Sequence, residues 1–121
     1  MKLTSVALAA LFSCVCYPAL AIGAIAIDDV VGEDEPGFGY STGYNDQASA
    51  EKRALQECRK HGNGNCKVMV WYATCGAYAA SSKYYGIGWG VTRQIAEKQA
   101  LDQCARRSCQ IKVSQCERQP Q

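Results

Sequence analysis

AEKRALQEC, Ala50 to Cys58, returns further along the chain as AEKQALDQC, Ala96 to Cys104, with six of nine residues identical. The match extends outward on both sides. GFGYSTGY before the first block corresponds to YGIGWG before the second, and CKVMVWYATC after the first to CQIKVSQC after the second. Gly23-Ala24-Ile25-Ala26 likewise has an echo in Gly76-Ala77-Tyr78-Ala79. A tandem repeat of this length is one supersecondary unit used twice. The first unit covers about residues 23–75 and the second about 76–116 of a single domain, 22–121.

Each copy contains one helix. Asp46 and Thr92, at equivalent positions, are residue types that accept bonds from the first free N–H groups of a helix. Behind them Ala50, Ala54, Leu55 and Cys58, and likewise Ala96, Ala100, Leu101 and Cys104, form one apolar stripe, with Lys52, Arg53, Gln56, Lys98, Gln99 and Asp102 opposite. Gly62 suits the left-handed residue that ends the first helix. Lys67 to Thr74 and Gln110 to Gln115 alternate around β-branched and aromatic residues and predict strands. Strict alternation puts Val68, Val70 and Tyr72 on one face, matched by Ile111 and Val113, and Lys67, Met69, Trp71 and Lys112 on the other. The predicted fold is α+β: β-β-α-β twice, a mostly antiparallel sheet with two helices packed on one face, and three disulfides.

YYGIGWG, Tyr84 to Gly90, has period two, so Gly86, Gly88 and Gly90 line one strand face and Tyr85, Ile87 and Trp89 the other. In the first copy Gly37, Gly39 and Gly43 stand opposite Phe38, Tyr40 and Tyr44. A bare glycine face lets a helix or ring approach the backbone closely. The rival reading, a phosphate loop, lacks both the G-x-G-x-x-G spacing and a following lysine.

The first twenty-one residues have the form of a signal peptide, with Lys2, the apolar run Val6 to Cys16 and the small-x-small site Ala19-Leu20-Ala21. The run is broken by Ser13 and Pro18 and is short for a membrane span. Lipidation at Cys14 is the alternative, although Phe12 is bulky for such a site. The leader holds two of eight cysteines, Cys14 and Cys16, which leaves six, an even number suited to disulfides in an exported domain. The duplication suggests Cys58 with Cys66 and Cys104 with Cys109, each closing a helix-to-strand loop. Cys75 and Cys116 end equivalent strands in this reading, so their bridge joins the two halves. No histidine pair or C-x-x-C suggests a metal, and no basic block suggests nucleic acid. The acidic residues Asp28, Asp29, Glu33, Asp34 and Glu35 read as a solvated loop.

GAIA, the glycine-aromatic alternation, A-E-x-x-A-L-x-x-C, CKVMVWYATC with GAYAA, and YGIGWGVTRQIAEKQALDQC together resemble the bacterial domain-of-unknown-function family 4189, from about Gly23 to Cys116. The acidic insertion at Asp28 to Pro36 is longer than the family pattern, and Tyr84-Tyr85 follows a short turn at Ser81-Ser82-Lys83. The resemblance implies a small secreted or periplasmic disulfide-bonded domain of bacteria without assigned catalytic residues. Some similar small periplasmic proteins act as immunity factors beside antibacterial toxins.

His61 is the sole histidine and stands at a helix end, where a histidine more often answers the negative helix terminus than acts as a base. No catalytic, cofactor-binding or metal-ligating residue is therefore assigned. The expected function is that of an exported, non-enzymatic protein-interaction module, periplasmic or secreted, with a toxin-binding immunity role as its sharpest form. The alternatives are an envelope or host-directed factor, or a hydrolase. Trp71, Met69 and Lys67 are the expected partner-binding residues, because the counterpart of Trp71 in the second copy is Ser114.

Overall fold

The computed structural model describes residues 21–30 and 34–117; the signal-peptide reading and Cys14 fall outside them. The first copy forms β1 (Ile22–Asp28), β2 (Gly37–Tyr44), α1 (Gln47–Lys60) and β3 (Lys67–Tyr72). The second forms β4 (Cys75–Ser81), β5 (Tyr84–Gly90), α2 (Arg93–Cys104) and β6 (Gln110–Cys116). The β-β-α-β order therefore occurs twice. The strands make two antiparallel three-stranded sheets, β2-β1-β3 and β5-β4-β6.

Helix ends follow local chemistry. The Asp46 carboxylate accepts from Ser49 N at 2.7 Å and the Thr92 hydroxyl from Ile95 N at 3.2 Å, so both copies cap their first turn alike. α1 stops at His61, and Gly62 beyond it takes φ 87°, a left-handed value that glycine adopts freely.

The central strands show why each sheet carries its own helix. Along β1, Ala24 and Ala26 meet Ala50, Ala54 and Cys58 of α1, while Ile25 and Ile27 point the other way. Along β4, Ala77 and Ala79 meet Ala96, Ala100 and Cys104 of α2, while Tyr78 and Ala80 point away. The second set of faces, with Tyr72, Ile87 and Val113, closes into a core between the two sheets. The layers thus run helix, sheet, sheet, helix. Ile25 and Ile27 are fully buried there, each a contribution of about 1.5–3 kcal/mol. Tyr78, also fully buried, donates its hydroxyl to Pro36 O at 2.8 Å and packs its ring 5.1 Å from that of Phe38.

The alternating glycines are the contact surface for the helices. A Cβ on Gly39 would lie 2.1 Å from Cys58 N, and one on Gly88 would lie 1.8 Å from Ala96 O. Gly43 does not belong to this face. A bulge shifts the β1–β2 register between Ile22 and Ala24, and Gly43 takes φ 77° with open space around it. The position equivalent to Gly88 is Ser41, whose buried hydroxyl donates to Ala50 O at 2.6 Å.

Bulges also correct the predicted faces of β3 and β6. Ile25 pairs with Val70 but Ala26 pairs with Val68, so Met69 is the extra residue; Lys112 is extra in the same way between Val113 and Ile111. Val70 and Val113 therefore face the core between the sheets, whereas Val68 and Ile111 face the helices. Leu101 departs from the expected stripe too and is 39 % exposed, because the close approach at glycine leaves only alanine and cysteine in the contact.

The three predicted cysteine pairs form, Cys58–Cys66, Cys104–Cys109 and Cys75–Cys116. The last does not join the halves. Cys75 opens β4 and faces Cys116 across the β4–β6 ladder, so this bridge lies within the second sheet. The acidic run is not a free loop either. Asp28 is buried at the end of β1 and accepts from Val30 N and Asn65 N, while Asp29 pairs with Lys67 and Glu35 with Lys112.

Candidate functional site

The duplicated halves are most informative where they differ. Ala50 and Ala96 are equivalent, which makes Gln47 and Glu51 of α1 the counterparts of Arg93 and Glu97 of α2, and Arg53 and Glu57 the counterparts of Gln99 and Gln103. In the second half these side chains reach across to the sheet edges. Gln99 Oε1 accepts from Trp89 N at 2.7 Å and Gln103 Oε1 from Ile87 N at 3.1 Å, which covers the outer edge of β5. Arg93 donates to Ser114 O, and the Ser114 hydroxyl donates to Glu97 at 2.6 Å, which covers β6. In the first half the counterparts pair with one another instead: Arg53 with Glu57 at 2.7 Å and Gln47 with Glu51 at 2.8 Å. Unpaired strand edges are templates for another chain, and here α2 covers the edges of its sheet while α1 does not cover those of the first.

Trp71 stands on β3, the edge strand of the first sheet, opposite Ala24, and is 46 % exposed. Its counterpart Ser114 is the residue that α2 ties down. Met69 occupies the bulge and is 37 % exposed. Lys67 pairs with Ile27, on the side of the sheet away from α1, and is held by Asp29 at 3.3 Å. The three residues expected to act together therefore share a strand but not a face: the bulge at Met69 separates Lys67 from Trp71. Three aromatic residues of β5 have different surroundings. Tyr85 packs on the core between the sheets and donates its hydroxyl to Asp29 at 3.2 Å, with burial first and Asp29 second pushing that hydroxyl up from its ordinary range. Tyr84 lies under the Arg106 guanidinium, 4.3 Å from the ring centroid, and the same guanidinium lowers its hydroxyl. Trp89 is 51 % exposed beside Ile95, Lys98 and Gln99, along a groove of about 440 Å³.

One group escaped the sequence reading. Glu117, just after β6, is 4 % exposed and ties the halves together: its N–H donates to Thr74 O at 2.7 Å, and its Oε2 accepts from Gly43 N at 2.8 Å. Its Oε1 and the buried Tyr72 hydroxyl have no hydrogen-bond partner among the described residues. The matching glycines at the start of GAIA and GAYA were the available signal. A Cβ on Gly23 would lie 2.5 Å from Glu117 Oε1, and one on Gly76 would lie 2.3 Å from the Tyr72 ring. Burial raises the Glu117 carboxyl above its ordinary range, against a smaller lowering by the Gly43 N–H. A carboxyl raised on folding favours the native state in its neutral form, and that stability is lost as pH rises through its titration. Glu117→Gln is expected to stabilise the protein by about 1 kcal/mol at neutral pH. The gain should vanish in acid, where the wild-type group is already neutral. Thermal unfolding of both proteins across pH checks this, and a variant equally destabilised at every pH would contradict it.

Among the described residues no three histidine, cysteine or carboxylate side chains gather as a metal site, and no helix is long and apolar enough to cross a membrane. Known proteins provide a family and no activity. Protein Rv1269c of Mycobacterium tuberculosis and Protein Mb1300c of Mycobacterium bovis are each 39 % identical over 64 residues, covering 53 % of this chain and 49 % of theirs. The uncharacterized protein Rv1813c of Mycobacterium tuberculosis is 40 % identical over 55 residues, covering 46 % of this chain and 36 % of its own. The chain thus spans about half the length, or less, of these curated relatives. No solved structure matches it. The profile of one family, described as domain of unknown function DUF4189, matches residues 22–116, and the chain belongs to that family.

Proposed function

We propose that the protein is an exported, non-enzymatic interaction module and that its first half carries the partner surface, with Trp71 as the anchor. The observation that carries this reading is the divergence of the copies at their sheet edges. α2 closes both edges of its sheet, α1 closes neither, and the exposed tryptophan sits on an edge strand that α1 leaves uncovered, where its counterpart is a tethered serine. Tryptophan is enriched among residues that dominate binding energy. Three disulfides and the form of the leader support an extracytoplasmic setting. The sharper form of the proposal is an immunity-type inhibitor whose partner is a bacterial toxin; an envelope or host-directed factor would use the same surface on another protein. His61, the chain's single histidine, caps α1 through its backbone N–H and leaves its imidazole exposed on the surface rather than in an enclosed site.

Trp71→Ala tests the reading. A half-exposed side chain contributes little to folding, so the unfolding midpoint should move by no more than about half a kcal/mol in equivalent stability. Retention of a partner protein from the extracytoplasmic fraction should fall about tenfold or more, the usual effect of removing an anchor. A variant that stays folded and keeps every partner at wild-type affinity ends the proposal.

A further inference from the structure

The other edge of the first sheet, β2, runs beside a groove of about 490 Å³ that it shares with the flank of α1. Register fixes which backbone groups face it. Tyr40 pairs with Ile25 as Ile87 pairs with Tyr78, and the N–H of Ile87 points outward to Gln103. The N–H of Tyr40 therefore points outward too, yet no protein group among the described residues accepts from it. The reason lies in two substitutions between the copies. Where α2 has Gln99 and Gln103, α1 has Arg53 and Glu57, which satisfy each other and release the edge.

The geometry points to β2 as the docking site for an extended segment of a partner protein, added as a fourth strand of the first sheet and bearing an acidic side chain. Main-chain hydrogen bonds to a free edge supply affinity in such additions, and pockets for alternate side chains supply selectivity. Tyr40 and Tyr44 line the groove on the strand side. Its charge sets the preference. Arg53 is neutralised by Glu57, whereas Lys60, which lines the same groove, has no carboxylate partner among the described residues, and His61 stands beside it. An incoming carboxylate completes that end, and a cationic side chain there meets like charge. The β5 edge, with both glutamines in place, accepts no such strand. This inference rests on the reading of the protein as an interaction module and assigns it a second contact, distinct from Trp71.

The test uses a soluble octapeptide alternating valine and glutamate, its valine–lysine counterpart, and amide resonances of the full disulfide-bonded protein. The acidic peptide is expected to shift the Tyr40 amide and to slow its hydrogen exchange about tenfold at saturation, with Ile87 and Trp89 unaffected. The double variant R53Q/E57Q copies the second half, closes the edge and weakens the peptide about tenfold or more. Lys60→Ala removes the preference for glutamate over lysine. Equal binding of the two peptides, protection on β5 rather than β2, or Tyr40 protection that grows with protein concentration in the absence of peptide would each overturn the assignment, the last in favour of a second copy of this chain. If R53Q/E57Q leaves peptide binding unchanged while Trp71-dependent partner retention stands, the groove assignment falls and the interaction module survives. Loss of Trp71 dependence alone, with Tyr40 still protected by peptide, sinks the proposed anchor and leaves the groove.

Discussion

Gly88→Ala is expected to lower stability by about 3 kcal/mol or more, the upper end for overpacking a closed interior. The added methyl carbon would lie 1.8 Å from Ala96 O and 2.7 Å from Ala100 N, and both are helix backbone. A flexible side chain can swing aside, but a helical carbonyl is held by its own ladder and moves only with the helix. Lifting α2 as a body strips the contact of Ala77 and Ala79 with Ala96 and Ala100, and the Cys104–Cys109 bridge restrains its far end. Gly64→Ala, where nothing lies within 4 Å and φ is not left-handed, serves as the control and should stay within about half a kcal/mol of wild type. Gly43→Ala meets no neighbour either, but φ 77° makes it cost about 1 kcal/mol through backbone conformation alone. Denaturant midpoints at constant slope separate the three. A Gly88→Ala protein as stable as Gly64→Ala would mean that strand and helix are not in contact.

That glycine face was legible from sequence because two periods coincide. Glycine at every second residue of a strand and alanine at every fourth of a helix are each unremarkable, but together, and repeated in both copies, they specify close backbone packing. The caps at Asp46 and Thr92 were legible for a similar reason, since one side chain placed before each apolar stripe satisfies a local need. The bulges were not. Met69 and Lys112 are ordinary strand residues, and a one-residue insertion in a ladder leaves no mark on composition while it reverses every face beyond it. Hence Val68 and Lys67 were assigned to the wrong sides, and the predicted cluster with Trp71 came apart.

The candidate surface was half legible. Trp71 against Ser114 is a difference visible in the duplicated sequence, and it marked the residue that the structure leaves half-exposed. Arg53 against Gln99 and Glu57 against Gln103 are visible mismatches as well, but glutamine on a helix reads as a solvated side chain until the strand edge beside it is known. Glu117 was invisible for the opposite reason. A charged residue after the last cysteine looks like the start of a tail, and only the folded chain shows that it crosses to Gly43.

Removing the Cys75–Cys116 bridge, as C75A/C116A, is expected to destabilise the protein by about 4 kcal/mol, against about 2 kcal/mol for C104A/C109A. Chain entropy sets the order, because the first closes a separation of 41 residues and the second a separation of 5. The pairing was predicted on the premise that Cys75 and Cys116 end equivalent strands, and register replaces that premise. Gly23 pairs with Tyr72 as Gly76 pairs with Gln115, so the residues equivalent to Cys75 and Cys116 are Ile22 and Ala73. Both pack on the core under α1, so the first copy holds this point with apolar contact where the second uses sulfur. A C75I/C116A variant, which copies the first solution, should therefore recover about 1 kcal/mol of packing relative to C75A/C116A and none of the loop entropy. It should fall between the alanine pair and wild type in denaturant midpoint, with the slope unchanged. Equal losses for C75A/C116A and C104A/C109A would show that native packing around each bridge, rather than the length of chain it closes, determines what these disulfides contribute.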